Sequence, residues 1–124
     1  MTVSDFAKNA DSVHFATLQE AKLVAGNGQE SPSIEGRFLV TKTLKGSAPS
    51  PASLTLSTPG SDSECGVGML ISAKYVIFKK QGNDGILACS GSGVLGRFGV
   101  VGQYEEDEIA AEVQGALQRM HNQR

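Results

Sequence analysis

The chain has 124 residues, 40% of them hydrophobic and 19% charged, with a formal net charge of -2. That length fits one domain spanning residues 1–124, and the apolar share excludes a disordered polar segment. The charge balance excludes a surface whose main work is gripping phosphate backbones, and no apolar run approaches the ~20 residues that cross a bilayer.

Met1-Thr2-Val3-Ser4-Asp5 has neither the basic start nor the apolar stretch of a secretory leader. Phe6-Ala7-Lys8-Asn9-Ala10 follows Ser4, a candidate cap, and predicts one helical turn. Ser12 to Val24 alternates in hydropathy and predicts a long strand, bent or bulged near Gln19-Glu20. His14 falls on its polar face. Gly26-Asn27-Gly28-Gln29-Glu30-Ser31-Pro32 is loop by composition. A second strand runs from Ile34 to Leu44, where Phe38, Val40 and Leu44 can share a face.

Ser47-Ala48-Pro49-Ser50-Pro51 cannot be a central strand, because its prolines remove ladder donors. Ser53 to Thr58 is a short alternating strand. Cys65 to Leu70 reads as irregular. Lys74 to Lys80 reads as a strand with Tyr75, Ile77 and Lys79 on one face and Val76 and Phe78 on the other. Gln81-Gly82-Asn83-Asp84-Gly85 carries a hairpin signal, and Ile86 to Cys89 is the expected return strand. Ser90 to Gly102 is glycine-rich and reads as irregular. From Glu105 the period changes. Ile109, Val113, Leu117 and Met120 share one helical face, with acids at its start and Arg119 and Arg124 near its end, as the helix dipole favours. The pattern predicts an all-β domain: a five-stranded OB-fold-like Greek-key barrel with a C-terminal helix over 105–121 and a short N-terminal helix.

A set of short motifs carries a resemblance. Asn9-Ala10-Asp11-Ser12-Val13 opens a strand, and Phe38-Leu39-Val40 leads to Leu44-Lys45-Gly46. Then come Leu56-x-Thr58-Pro59, Cys65-Gly66, Tyr75-x-Ile77-Phe78, Gly85-x-Leu87 and Cys89-Ser90. In this order the chain resembles the netrin-like domains, best known from the tissue inhibitors of metalloproteinases, over roughly Phe6 to Ser90. The resemblance implies an OB barrel, a helix after its last strand, and a periplasmic or secreted location, with a leader lying outside this sequence. The inhibitors carry an N-terminal Cys-x-Cys whose first residue chelates the target's zinc. Here the start is Met1-Thr2-Val3, with no cysteine before Cys65, so that route of inhibition is not implied. In the inhibitors the cysteines matching Cys65 and Cys89 pair with the N-terminal ones. With those partners missing, the resemblance leaves Cys65 and Cys89 to pair with each other in a structural disulfide. Two free buried thiols, or a reactive cysteine served by His14 or His121, are the other readings of the pair.

Other motifs argue against chemistry. Gly91-x-Gly93-x-x-Gly96 matches a dinucleotide fingerprint, but Arg97-Phe98-Gly99-Val100-Val101-Gly102 follows it instead of a helix, so no nucleotide is expected and the glycines serve a tight turn. Ser90-Gly91-Ser92-Gly93 lacks the frame of a nucleophile elbow. His14 and His121 have no ligand-spaced neighbours, so no metal or other cofactor is expected. Glu105 to Glu108 reads as a solvated helix start. Lys42, Lys45, Lys74, Lys79 and Lys80 could form a modest basic patch, but aromatic residues make up only 6% of the chain and stacking platforms need them. The expectation is a binding module, not an enzyme, presenting its barrel face or its loops at Gly26–Ser33 and Ser47–Ser53 to a protein partner, a metalloprotease being the class the resemblance suggests. The alternative is a cytosolic OB domain that binds nucleic acid or serves as a subunit of a complex.

Overall fold

The computed structural model describes residues 2–25, 32–59, 66, 68–69, 71–87, 91–96 and 104–122. Helix α1 (Val3–Asn9) comes first and is followed by strands β1 (Ser12–Val24), β2 (Ser33–Lys45), β3 (Ser53–Pro59) and β4 (Lys74–Lys79). Two short strands, β5 (Gly93–Gly96) and β6 (Tyr104–Glu105), precede helix α2 (Glu106–Asn122). The four long strands form an antiparallel sheet in the order β3-β2-β1-β4, which β5 and β6 extend beyond β4. Helix α1 is capped by Thr2 and not by Ser4: Thr2 Oγ1 accepts from the Asp5 amide, and the Asp5 carboxylate accepts from the Thr2 amide in return. This reciprocal box satisfies two amides that the first turn leaves without partners. Its far end is closed by Lys45, whose Nζ donates to the carbonyls of Ala7 at 2.9 Å and Ala10 at 2.6 Å.

Each face of the sheet centre carries its own core. On one side Val13, Phe15, Val76, Phe78 and Leu95 pack with Ala7 of α1 and with Ile109, Val113 and Ala116 of α2. On the other, Ala16, Leu18, Phe38, Leu56, Tyr75, Ile77 and Ile86 pack together where the sheet curls over itself. The Tyr75 ring meets Phe38 edge-on at 5.4 Å between centroids, an arrangement that favours the ring quadrupoles. Burial on both faces explains why Tyr75 to Phe78 is a continuous apolar run instead of an alternating one.

Three register shifts bend the β1–β2 pair. Leu44 and Thr41 are extra residues on β2, and Gln19 is extra on β1, next to the predicted bend. An extra residue reverses which side chains face inward. Leu44 therefore packs with the helix-side core, while Phe38 and Val40 belong to the opposite one, so the three do not share a face as expected. The bulged Thr41 donates its hydroxyl to the Phe15 carbonyl at 3.2 Å, satisfying an acceptor that the irregular ladder leaves over.

The expected five-stranded OB-fold-like barrel is not what forms: the antiparallel sheet has four long strands and does not close into a barrel. Ile86 and Leu87 are not a ladder strand among the described residues. Gly85 makes a single parallel bridge to Ser57, with Ser57 N donating to Asp84 O at 2.8 Å and Ile86 N to Ser57 O at 2.8 Å. The strand that does pair with β4 is β5, inside the segment expected to be irregular. Glycine's low strand propensity hides it in the sequence.

Candidate binding surface

Among the described residues, His14 and Ser92, which could have carried chemistry, are engaged in holding the fold. His14 is only 2% exposed, not on a polar face, and its Nδ1 lies 2.9 Å from Thr43 Oγ1. β1 is a central strand covered on both sides, so its polar position is buried too. Burial, and then the charge of Lys79, hold the imidazole below its ordinary pKa of 6.5, in the neutral form. Ser92 is fully buried, and its Oγ accepts from the Phe78 amide at 3.0 Å, standing in for a ladder partner. Gly91 has φ +95°, and a Cβ there would lie 2.5 Å from the Phe6 ring. The glycine motif is thus a turn pressed against α1, leading into strand β5 and not into a helix.

Of the five lysines that could form a basic patch, Lys42 and Lys80 are exposed and the other three are engaged. Lys45 closes α1, Lys74 pairs with Glu106 at 3.1 Å, and Lys79 lies 3.7 Å from Asp84. Cys65, Cys89, the side chain of His121 and the loop at Gly26–Ser31 lie outside the described residues. Among the described residues, no group of three potential metal ligands converges, and no helix is long and apolar enough to cross a membrane.

The sheet continues past its covered centre into an arm built from the second half of β1, the start of β2 and the end of β3. Here Gln19 to Val24 of β1 are all exposed, Leu23 by 71%, and Ile71 stands nearby at 56%. The β1 partner β4 stops at Thr17, and Leu18 is the last residue bonded on that side, to Ala73 and Ser72. Beyond it, among the described residues, the backbone of Gln19–Val24 bonds only to β2 and presents a free strand edge.

The arm also carries a charge ladder. Glu20 sits opposite Arg37 and Lys22 opposite Glu35 in the register, with ion pairs at 2.9 Å and 3.5 Å. An open depression of about 340 Å³ lies over these four side chains, Ala21 and Thr55. Both pairs are exposed, so each contributes little to folding, roughly 0–1 kcal/mol. Gly36 permits the close packing beneath: a Cβ there would meet Leu18 Cδ1 at 2.8 Å and Phe38 Cε1 at 3.0 Å.

Sequence reading missed this surface. Its one signal was alternation of Glu20 and Lys22 with Ala21 and Leu23, and that becomes a ladder only when the hairpin register is known. Comparison of the chain with protein-family models and with curated proteins gives no match.

Proposed function

We propose that the protein is an extracytoplasmic binding module of the netrin-like kind, and that it engages a protein through the β1–β2 arm. The observation that carries this reading is the arm itself. It combines an unpaired strand edge, a fixed pattern of alternating charge with exposed Val24 on one face, and exposed Leu23 on the other. Such an edge accepts an extended strand by main-chain hydrogen bonds, with side chains setting specificity. In the fold that carries the arm, β1 pairs with both β2 and β4, and the bridge at Ser57–Gly85 draws the chain after β4 back toward β3.

The test is comparative capture. Immobilised full-length chain and its Leu23→Asp variant are exposed to extracytoplasmic extract, and retained proteins are identified by mass. A protein, including the chain itself, held by the wild type and lost from the variant supports the reading. Retention on single-stranded oligonucleotide that falls with salt and ignores Leu23→Asp would overturn it in favour of a nucleic-acid-binding OB domain. The compartment is tested separately by intact mass after alkylation under denaturing conditions. Resistance of both cysteines until reduction supports a Cys65–Cys89 bridge and an oxidising location, and labelling without reductant rejects both.

A further inference from the structure

We infer that the strand added to the β1 edge is β1 of a second copy of this chain, paired antiparallel about a two-fold axis through Ala21. This rests on the arm being the binding surface and names its partner. The argument is one of register. A two-fold axis normal to the sheet keeps each side chain on its own face, so only registers that place residues of equal parity opposite one another are allowed. With Ala21 opposite Ala21 of the second copy, Glu20 of each chain faces Lys22 of the other. The neighbouring allowed registers set Glu20 against Glu20, or Lys22 against Lys22, and like charges directly opposite destabilise a sheet.

The ladder within each chain extends the match. Because Lys22 already faces Glu35 and Glu20 already faces Arg37, the joined sheet carries rows reading Glu35, Lys22, Glu20 of the second copy and Arg37 of the second copy. Charge alternates across four strands, and symmetry supplies the second row. On the opposite face the axis passes between two alanines, which present no bulk to clash. Strand edges are commonly guarded by an unmatched lysine. Here the charge of Lys22 is matched within its own chain and again across the axis, so it directs pairing instead of preventing it.

Sedimentation velocity over a concentration series of the full chain tests this. The wild type is expected to be dimeric at the upper end. Glu20→Lys and Lys22→Glu each create two like-charge pairs and should weaken association by about tenfold or more. The double exchange Glu20→Lys/Lys22→Glu should restore the dimer. An equimolar mixture of the two single variants should form a heterodimer, because the two lysines on the edge of one chain then face the two glutamates on the edge of the other. Thermal melts of each variant establish that the fold is intact. A wild type that stays monomeric, or a dimer indifferent to both single exchanges, overturns the inference. A monomeric wild type that still captures another protein through Leu23 overturns only the second copy and leaves the binding reading in place.

Discussion

The two halves of β1 have the same neighbour on one side and opposite surroundings on the other. From Val13 to Leu18 the strand lies between β2 and β4, and Val13, Phe15, Ala16 and Leu18 are all at most 1% exposed. From Gln19 to Val24 it keeps β2 but has neither β4 nor a covering layer. The hydrogen-bonded ladder to β2 is common to both, so it cannot be what separates them. Side-chain burial separates them: each fully buried large apolar group contributes roughly 1.5–3 kcal/mol. The first half therefore anchors the fold, and the second contributes little to it.

The largest expected effect lies in the covered half. Phe15→Ala removes a ring from the helix-side core, where Val76, Phe78 and the α2 residues cannot all collapse into the space. Urea unfolding should show a loss of about 3–5 kcal/mol, a large part of the total for a domain of this size. A cost below about 1 kcal/mol would mean that the helix-side core is not packed around this ring.

Gly91→Ala should come next, at about 2–4 kcal/mol, combining a left-handed backbone with a Cβ driven into the Phe6 ring. The same melts with Phe6→Ala as background separate the two causes. The double variant should regain the ring's share of the steric part, while the contact with the Cβ of residue 6 at 2.9 Å and the backbone part remain. Full additivity would mean that Phe6 does not limit the site.

How much of this was legible follows from the same contrast. The limits of β1, the bend beside Gln19, the two faces of β4 and the helix from Glu106 were readable, because alternation and the 3.6-residue period record burial directly. His14 was misplaced because alternation assumes one wet face, and a central strand with two cores has none. The clue was nearby, in the unbroken apolar run Tyr75 to Phe78 that pairs with it. The sequence points to Ile86–Cys89 as the fifth strand because apolar residues follow a hairpin signal, while β5, the second neighbour of β4, is hidden in glycines. The arm's ladder depends on which residue faces which across the hairpin, and composition does not encode that register.

The buried histidine predicts a pH dependence of stability. Its folded pKa is depressed, first by desolvation and then by Lys79, so the unfolded chain binds its proton first as pH falls. The stability from neutral His14 is complete above the unfolded value of 6.5 and is lost as pH falls through it toward the lowered folded value. The slope can reach at most about 1.4 kcal/mol per pH unit. Urea midpoints taken from about pH 7.5 to about pH 5 should fall, and His14→Gln, which retains a polar partner for Thr43, should flatten the curve. An unchanged slope in that variant would assign the effect to another group.

The smallest expected change in stability is the one that most sharpens the comparison. Leu23→Ala lies on the same strand as Phe15, eight residues further on, and pairs with β2 in the same antiparallel way. If hydrogen bonding to β2 or strand propensity set the energetics, the two truncations would differ only modestly. With Leu23 71% exposed, little apolar area returns to water on unfolding, and the change should stay within about 0.5 kcal/mol. A loss of several kcal/mol would show the arm to be part of the core and would remove its availability for binding. A neutral result, together with weaker association of the same variant, would place the cost of Leu23 in the complex and not in the fold.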